Sequence, residues 1–493
     1  MDVLTINNAS VKSKNKTLFK NLNLHIKKGQ NWAVVGPSGS GKTAFLKTIR
    51  GDFFVSGGQI LHHYYDLYKT THDVSDPLFS HRNLVSYVDV KHDFTNLSHT
   101  RDFFYQQRFN AGYANESQTV DGYLRDISSK ETHAGPWNLE RVISDFDLEP
   151  LRNKHLIKLS NGETKRLRIA AALLKNPSVL LLDNPLTGLD VQMRARFGEL
   201  FRKISEEGTT LIMATSPHQI PDIITHVLVL SKELEAHPLP RSSFSPENID
   251  MSSKMPSLPT PQELSGLWHE RTSNSFDFLV KMDDVHVRYG NTKVLEGINW
   301  QIKPGERWAL SGPNGSGKST LLSLIFGDHP QAYANNIVLF DRKRGSGESI
   351  WDIKKNIGFM SPELLQYFPG NFTCQQVVES GFFDSIGLYR RVNADQMQTA
   401  FKWMKVMGIS EEKDTLFSDV STTLQRLCLL ARALVKNPVL LILDEPCQGF
   451  DDAQQKYFKA LIDTIAEQSD MAMIYVTHHR EELPECIEKE LML

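Results

Sequence analysis

At 493 residues the chain is too long for a single hydrophobic core and suits two or three domains. Hydrophobic residues make up 40% and the net charge is −3, which excludes a disordered chain; no polybasic arm or acidic tail points to bulk nucleic-acid or membrane-surface binding. Cys374, Cys428, Cys447 and Cys486 show no C-x-x-C spacing, so they read as reduced thiols in a reducing compartment and not as a metal site or disulfide frame.

The first residues, Met1 to Ile6, carry no charged region ahead of an apolar stretch, so no signal peptide is expected. No apolar run approaches the roughly 20 residues that cross a bilayer. A short strand at Trp32–Val35 leads into Gly36-Pro37-Ser38-Gly39-Ser40-Gly41-Lys42-Thr43. Closely spaced glycines let backbone N–H groups wrap a phosphate, the lysine reaches the terminal phosphates, and the hydroxyl holds Mg²⁺. A strand at Leu84–Val88 follows, and then the aromatic stretch Phe103–Phe109. Few basic residues accompany it, so a core or partner-facing helix is expected there and not a nucleic-acid stacking face. Leu159-Ser160-Asn161-Gly162-Glu163 opens a helical stretch at Lys165–Leu174, and the apolar run Val179–Leu182 ends in Asp183 and Asn184.

From about Ser231 to Ser275 the composition shifts to Pro, Ser and polar residues, with prolines at 238, 240, 246, 256, 259 and 261. Prolines remove backbone donors and break regular elements, so an extended, partly disordered linker is expected. Beyond it the motifs return. Trp308 precedes Gly312-Pro313-Asn314-Gly315-Ser316-Gly317-Lys318-Ser319-Thr320, Val420-Ser421-Thr422-Thr423-Leu424 follows, and Val439–Leu443 ends in Asp444 and Glu445. Ser160 to Asp183 and Ser421 to Asp444 span the same 23 positions, and both halves carry Lys-Asn-Pro ahead of the apolar run. This is an internal repeat of about 230 residues. Apolar strands alternating with helical stretches predict an α/β fold with a mostly parallel sheet in each half. Trp32 and Trp308 are expected in the core.

Phosphate loop, Leu-Ser-x-Gly-Glu signature, apolar run ending in Asp-Glu-Pro, and the Gly-Leu-Asp after it resemble the ATP-binding-cassette ATPases over nearly the whole chain. The second half, at Gly345–Gly358 and Ser380–Gly387, looks like the ModF type, tandem cassette proteins associated by name with molybdate transport. The resemblance implies two ATP-binding domains, at 1–230 and 279–493, each with a helical subdomain, joined by a linker at 231–278. It also implies head-to-tail cassettes, each ATP lying between the phosphate loop of one and the signature of the other.

On that pattern one site is nearly complete. Lys318 and Ser319 hold phosphates and Mg²⁺, Asp444 takes a metal-bound water, and Glu445 is the base that polarises the attacking water. His478 matches the histidine that contacts the γ-phosphate, Tyr289 stacks on adenine, and Ser160 and Gly162 complete the site from the opposite half. The other site has Thr43 and Asp183 for the metal but Asn184 in place of the base, and an amide takes no proton at neutral pH. Ser216 stands at the histidine position with His218 near it, and Ser13 stands where Tyr289 stands. Thr423 replaces the signature glycine, adding a side chain where backbone is expected to approach phosphate. That site is expected to hold ATP and hydrolyse it slowly or not at all. Both halves lack the usual loop glutamine, for which Glu363, Gln106 and Gln107 are the substitutes considered.

Three function classes stay open at this point: the energy subunit of a transporter with a separate membrane permease and unknown cargo, a cassette ATPase acting on a macromolecule such as a ribosome or DNA, and a regulatory ATP sensor. The Pro/Ser linker and Asn184 favour the first, at a cytoplasmic location or on the inner face of a membrane.

Overall fold

The computed structural model describes residues 1–13, 16–74, 76–90, 117–130, 135–189, 191–231, 235–248, 255–268, 276–290, 292–313 and 315–493. Among the described residues, contacts separate two compact units, one up to residue 248 and one from residue 255 onward.

The strands of the first unit are β1 (Asp2–Ser13), β2 (Lys16–Lys27), β3 (Trp32–Val35), β4 (Phe54–His62), β5 (Val85–Val88), β6 (Val179–Asp183), β7 (Thr210–Ala214), β8 (His226–Leu230) and β9 (Ala236–Pro240). One sheet is antiparallel in the order β2-β1-β4, and the other runs β5-β6-β7-β3-β8-β9. In the second sheet β5 to β8 pair in parallel, with Asp183 opposite Ala214. Every residue of β3, β6 and β7 is buried, as strands covered on both faces require, so they read as unbroken apolar runs. Between the sheets lie Phe19, Trp32, Phe45, Ile49, Leu181 and Ile212, each such side chain contributing about 1.5–3 kcal/mol by burial. A helical part, with helices Val120–Lys130, Leu139–Asp145 and Asn161–Leu173, closes around Leu124, Val142, Phe146 and Leu167.

The second unit repeats the plan with β10 (Val280–Tyr289), β11 (Thr292–Ile302), β12 (Arg307–Ser311), β13 (Asn336–Leu339), β14 (Arg342–Lys343), β15 (Ile357–Met360), β16 (Leu440–Asp444), β17 (Ala472–Val476) and β18 (Lys489–Met492). Its antiparallel sheet runs β11-β10-β13-β14, and its five-stranded sheet, β15-β16-β17-β12-β18, is parallel throughout. Helices Cys374–Glu379, Ala394–Val406 and Thr422–Leu434 enclose Val377, Trp403, Phe417 and Leu427.

The Pro/Ser-rich stretch differs from the extended linker expected of it. β9 lies antiparallel on β8 at the sheet edge, where Pro238 and Pro240 cost the fewest ladder bonds. Further on, Thr260 and Glu263 form a capping box around Pro261 and start a short helix to Ser265. Leu264 and Leu267 are buried in the core of the second unit, and Trp268 packs edge-on against Trp403 with ring centroids 5.4 Å apart. Much of the composition-defined linker therefore belongs to one unit or the other.

Candidate functional site

In the first unit β3 runs into the phosphate loop, and the helix Lys42–Arg50 runs out of it. Gly36 has φ 152, and a Cβ there would stand 2.3 Å from Leu230 O and 2.7 Å from Ser40 Oγ. Only glycine fits that crossing. The Lys42 ammonium donates to Gly36 O at 2.7 Å and Pro37 O at 3.0 Å, which fixes a cation inside the loop. Ser40 Oγ is buried with no protein partner, a hydroxyl aimed into a loop shaped for an anion.

At the end of β6 the Asp183 carboxylate accepts from Thr43 Oγ1 at 2.7 Å and Tyr87 OH at 3.2 Å on one oxygen, and from Asn184 Nδ2 at 2.9 Å on the other. Burial holds its carboxyl above the usual range, while the Thr43 bond opposes the rise. Tyr87 is itself placed by the Arg50 guanidinium, 4.6 Å above its ring.

The second unit builds the same frame with different chemistry. Gly312 has φ 146 and the same need for no side chain, since a Cβ would meet Leu493 O at 2.7 Å and Ser316 Oγ at 2.8 Å. Lys318 donates to Gly312 O at 2.7 Å and Pro313 O at 2.9 Å. Burial lowers its ammonium, and Glu445 and Asp444 counter the shift. His478 sits against this loop, with Nδ1 3.0 Å from Gly312 O and Nε2 2.6 Å from Glu445 Oε1. Gln448 Nε2 donates to the other Glu445 oxygen at 2.8 Å. The structure thus brings Lys318, Glu445 and His478 together, and adds Gln448, which sequence reading had not singled out. Thr187 holds the Gln448 position in the first unit.

Asn184 and Glu445 share one backbone feature. Both follow the strand-ending aspartate in the left-handed region, at φ 47 and 42, with their amides donating 2.9 Å to Ala214 O and Val476 O across the sheet. This turn aims the side chain past the strand end.

Each signature serine caps its helix. Ser160 Oγ accepts from Glu163 N, and Glu163 accepts from Ser160 N at 2.7 Å and from Lys154 at 2.7 Å. Ser421 Oγ accepts from Leu424 N at 3.4 Å. The Thr423 side chain turns inward in its own unit. Its side chain is buried and accepts from Gln454 Nε2 at 2.7 Å, and a Cβ at Gly162 would meet only Leu189 and Met193 at 3.7 Å. Gly162 with Met193 in the first unit becomes Thr423 with Gln454 in the second, an inward-facing exchange within each unit. From the same helix, Arg426 donates to Glu445 O at 3.2 Å and Pro446 O at 2.8 Å. The signature helix is thereby tied to the backbone that carries Glu445.

Tyr289 lies exposed at the end of β10, its hydroxyl 2.7 Å from Nε2 of the buried His329. Ser216 starts the short turn after β7, where His478 follows β17 in the other unit. Asn314, Gln106, Gln107 and the stretch Phe103–Phe109 lie outside the described residues, as does the side chain of Glu363.

A profile of the ABC transporter family matches residues 19–187 and 295–448, the segments that carry both phosphate loops and both strand-ending aspartates. The chain is 32% identical over 481 residues to the ABC transporter ATP-binding protein ModF of Escherichia coli, covering 95% of this chain and 92% of that protein. It is also 32% identical over 479 residues to an uncharacterized ABC transporter ATP-binding protein of Schizosaccharomyces pombe, covering 96% and 94%. Among solved structures, a ribosome-bound archaeal Pelota complex with its ATP-binding cassette protein aligns with TM-score 0.55 at 19% identity, over 96% of this chain and 74% of that one.

Proposed function

From the premise that this chain belongs to the ABC transporter family of ATP-binding proteins and is an ATP hydrolase, we propose that it binds two ATP and hydrolyses mainly the one at Lys318. One observation carries this reading. Glu445, His478 and Gln448 converge beside the second phosphate loop, and Asn184, Ser216 and Thr187 stand at the matching positions of the first.

The β- and γ-phosphates of ATP lie along Gly312–Ser319, with Lys318 turned from loop carbonyls to the nucleotide. Glu445 releases His478, takes the proton of the attacking water and steadies it in line with the γ-phosphate. His478 then faces the γ-phosphate from beside Gly312 O. A hydroxyl at 2.7 Å from a buried carboxylate, as Thr43 stands to Asp183, is a donor set of the kind Mg²⁺ uses. Ser319 with Asp444, and Thr43 with Asp183, are the residues that would hold it; the ion supplies charge neutralisation on the phosphate oxygens.

We assign Ser160 and Gly162 to the ATP of Lys318 and the Ser421 signature to the ATP of Lys42, on the head-to-tail pattern of the family, with domains bounded near 230 and 279. The biological role proposed is the energy subunit of a transporter, supported by 32% identity to ModF across nearly the full length of both proteins. Among the described residues no helix is long and apolar enough to cross a membrane, which fits a permease supplied by other chains.

The test is steady-state phosphate release by Lys318→Ala and Lys42→Ala, each with and without permease-containing vesicles or ribosomes. Loss in Lys318→Ala with a measurable remainder in Lys42→Ala supports one working site, and equal loss overturns it. Stimulation by vesicles supports the transport role, whereas stimulation by ribosomes alone replaces it with action on a macromolecule.

A further inference from the structure

The two phosphate loops differ in what surrounds the strand-ending aspartate, beyond the missing glutamate. Asp183 is 2% exposed and its two oxygens accept from three protein donors: Thr43 Oγ1 at 2.7 Å, Tyr87 OH at 3.2 Å and Asn184 Nδ2 at 2.9 Å. A carboxylate has about four acceptor positions. A metal held through water on Asp183 has to share that carboxylate with three donors already in place.

At the positions of Tyr87 and Asn184 the second unit carries Phe359 and Glu445. Tyr87 pairs in register with Leu181, two residues before Asp183, and Phe359 pairs with Ile442, two residues before Asp444. Phenylalanine offers no hydroxyl, and Glu445 offers no amide. The supports differ as well. Tyr87 lies under the Arg50 guanidinium, itself hydrogen-bonded to Asp52 at 2.9 Å, whereas Phe359 packs edge-on against Phe326 at 4.3 Å between centroids. Arg50 and Phe326 each stand eight residues after the loop lysine. One exchanged pair therefore aims a polar group at the aspartate, and the other fills the same space with carbon.

We propose that Tyr87, acting through Asp183 together with Asn184, is a positioning residue that loosens divalent-cation binding at the first phosphate loop, so that this loop keeps ATP with little dependence on Mg²⁺. The inference rests on the reading that the first loop holds nucleotide, and it says how the loop holds it: chiefly by Lys42 and the backbone cradle, with the Thr43–Asp183 metal position weakened by the added Tyr87 and Asn184 donors.

The experiment uses the full chain carrying Lys318→Ala, so that only the first loop is read. Equilibrium dialysis with radiolabelled ATP, in EDTA and then in Mg²⁺, is followed by Mn²⁺ titration with ATP, reading free Mn²⁺ by its paramagnetic resonance. ATP is expected to bind nearly as well in EDTA as in Mg²⁺. Tyr87→Phe is expected to tighten Mn²⁺ about fivefold, the worth of one hydrogen bond. The reverse exchange, Phe359→Tyr in a Lys42→Ala chain, is expected to loosen Mn²⁺ at the second loop. If Tyr87→Phe fails to fold, that reverse arm decides alone. Unchanged or weaker Mn²⁺ binding in Tyr87→Phe, or unchanged binding in Phe359→Tyr, overturns the inference. Absence of ATP binding by the Lys318→Ala chain in either condition overturns the reading of a holding site instead.

Discussion

Replacing Glu445 with glutamine isolates the proton-accepting step from the shape of the site. The carboxamide keeps the side-chain length and one carbonyl oxygen, so the bond from Gln448 Nε2, 2.8 Å in the parent, has an acceptor to return to. Two things are lost: the ability to take a proton, and the carboxylate that His478 Nε2 meets at 2.6 Å. With side-chain exposures of 16% and 23%, that contact is largely shielded, and its loss costs about 1–3 kcal/mol of folding stability. Domains are stable by about 5–15 kcal/mol, so the variant stays folded. The expected kinetic loss is larger, about 10²–10⁴-fold in turnover, or roughly 3–5 kcal/mol in the barrier. The assay is phosphate release at saturating ATP and Mg²⁺, with thermal melting and ATP binding measured on the same preparation. Near-parental turnover by a folded, ATP-binding Glu445→Gln chain would refute Glu445 as the base.

Three further outcomes are expected. Ser160 and Ser421 cap their helices alike, so alanine at either costs about 1 kcal/mol of stability, yet phosphate release should fall in Ser160→Ala and hold in Ser421→Ala; the reverse pattern would exchange the signatures between sites. Thr423→Gly should lower the melting temperature by the loss of its bond with Gln454, about 1 kcal/mol, and Gln454→Met added to it should recover stability, because that double change installs the Gly162–Met193 pair; a second drop on adding Gln454→Met would break the argument. His62, stacked on His81 at 3.8 Å, is pushed down to about 3, first by burial and then by the charges of His81 and His63. The unfolded chain therefore binds that proton more readily, so stability present above about pH 6.5 falls away as the pH drops towards 3, by about 2 kcal/mol at pH 5. His62→Gln should flatten the acid limb of a melting curve, and an unchanged limb would show that other groups carry it.

The parallel strands, the phosphate loops and Lys318, Glu445 and His478 were legible because each depends on local spacing: unbroken apolar runs, glycines where the backbone crosses itself, and polar residues just past a strand end. What escaped depends on contacts between distant segments. Pro238 and Pro240 argue against a strand when counted by composition, and only the pairing with His226 to Leu230 reveals an edge where proline is tolerated. Leu264 and Leu267 are two leucines in a polar stretch until Trp403 and its neighbours are seen around them. Thr423 was read from the signature alone, while its direction is set by Gln454, 31 positions later. Tyr87 sits in an ordinary strand pattern, and nothing local announces that its hydroxyl reaches Asp183.

The left-handed turn after the strand-ending aspartate has a consequence for how such duplicated proteins age. An L-residue in that conformation costs about 1–2 kcal/mol, and asparagine is among the residues that enter it most readily. On the proposal that Glu445 is the base, glutamate is held at this turn by its chemistry, against a conformational preference for asparagine. In a copy freed from hydrolysis, exchange of glutamate for asparagine runs with that preference, and Asn184 also secures Asp183 at 2.9 Å. The return path runs uphill on both counts. On that proposal the turn favours exchange in one direction, from glutamate to asparagine, and resists the reverse.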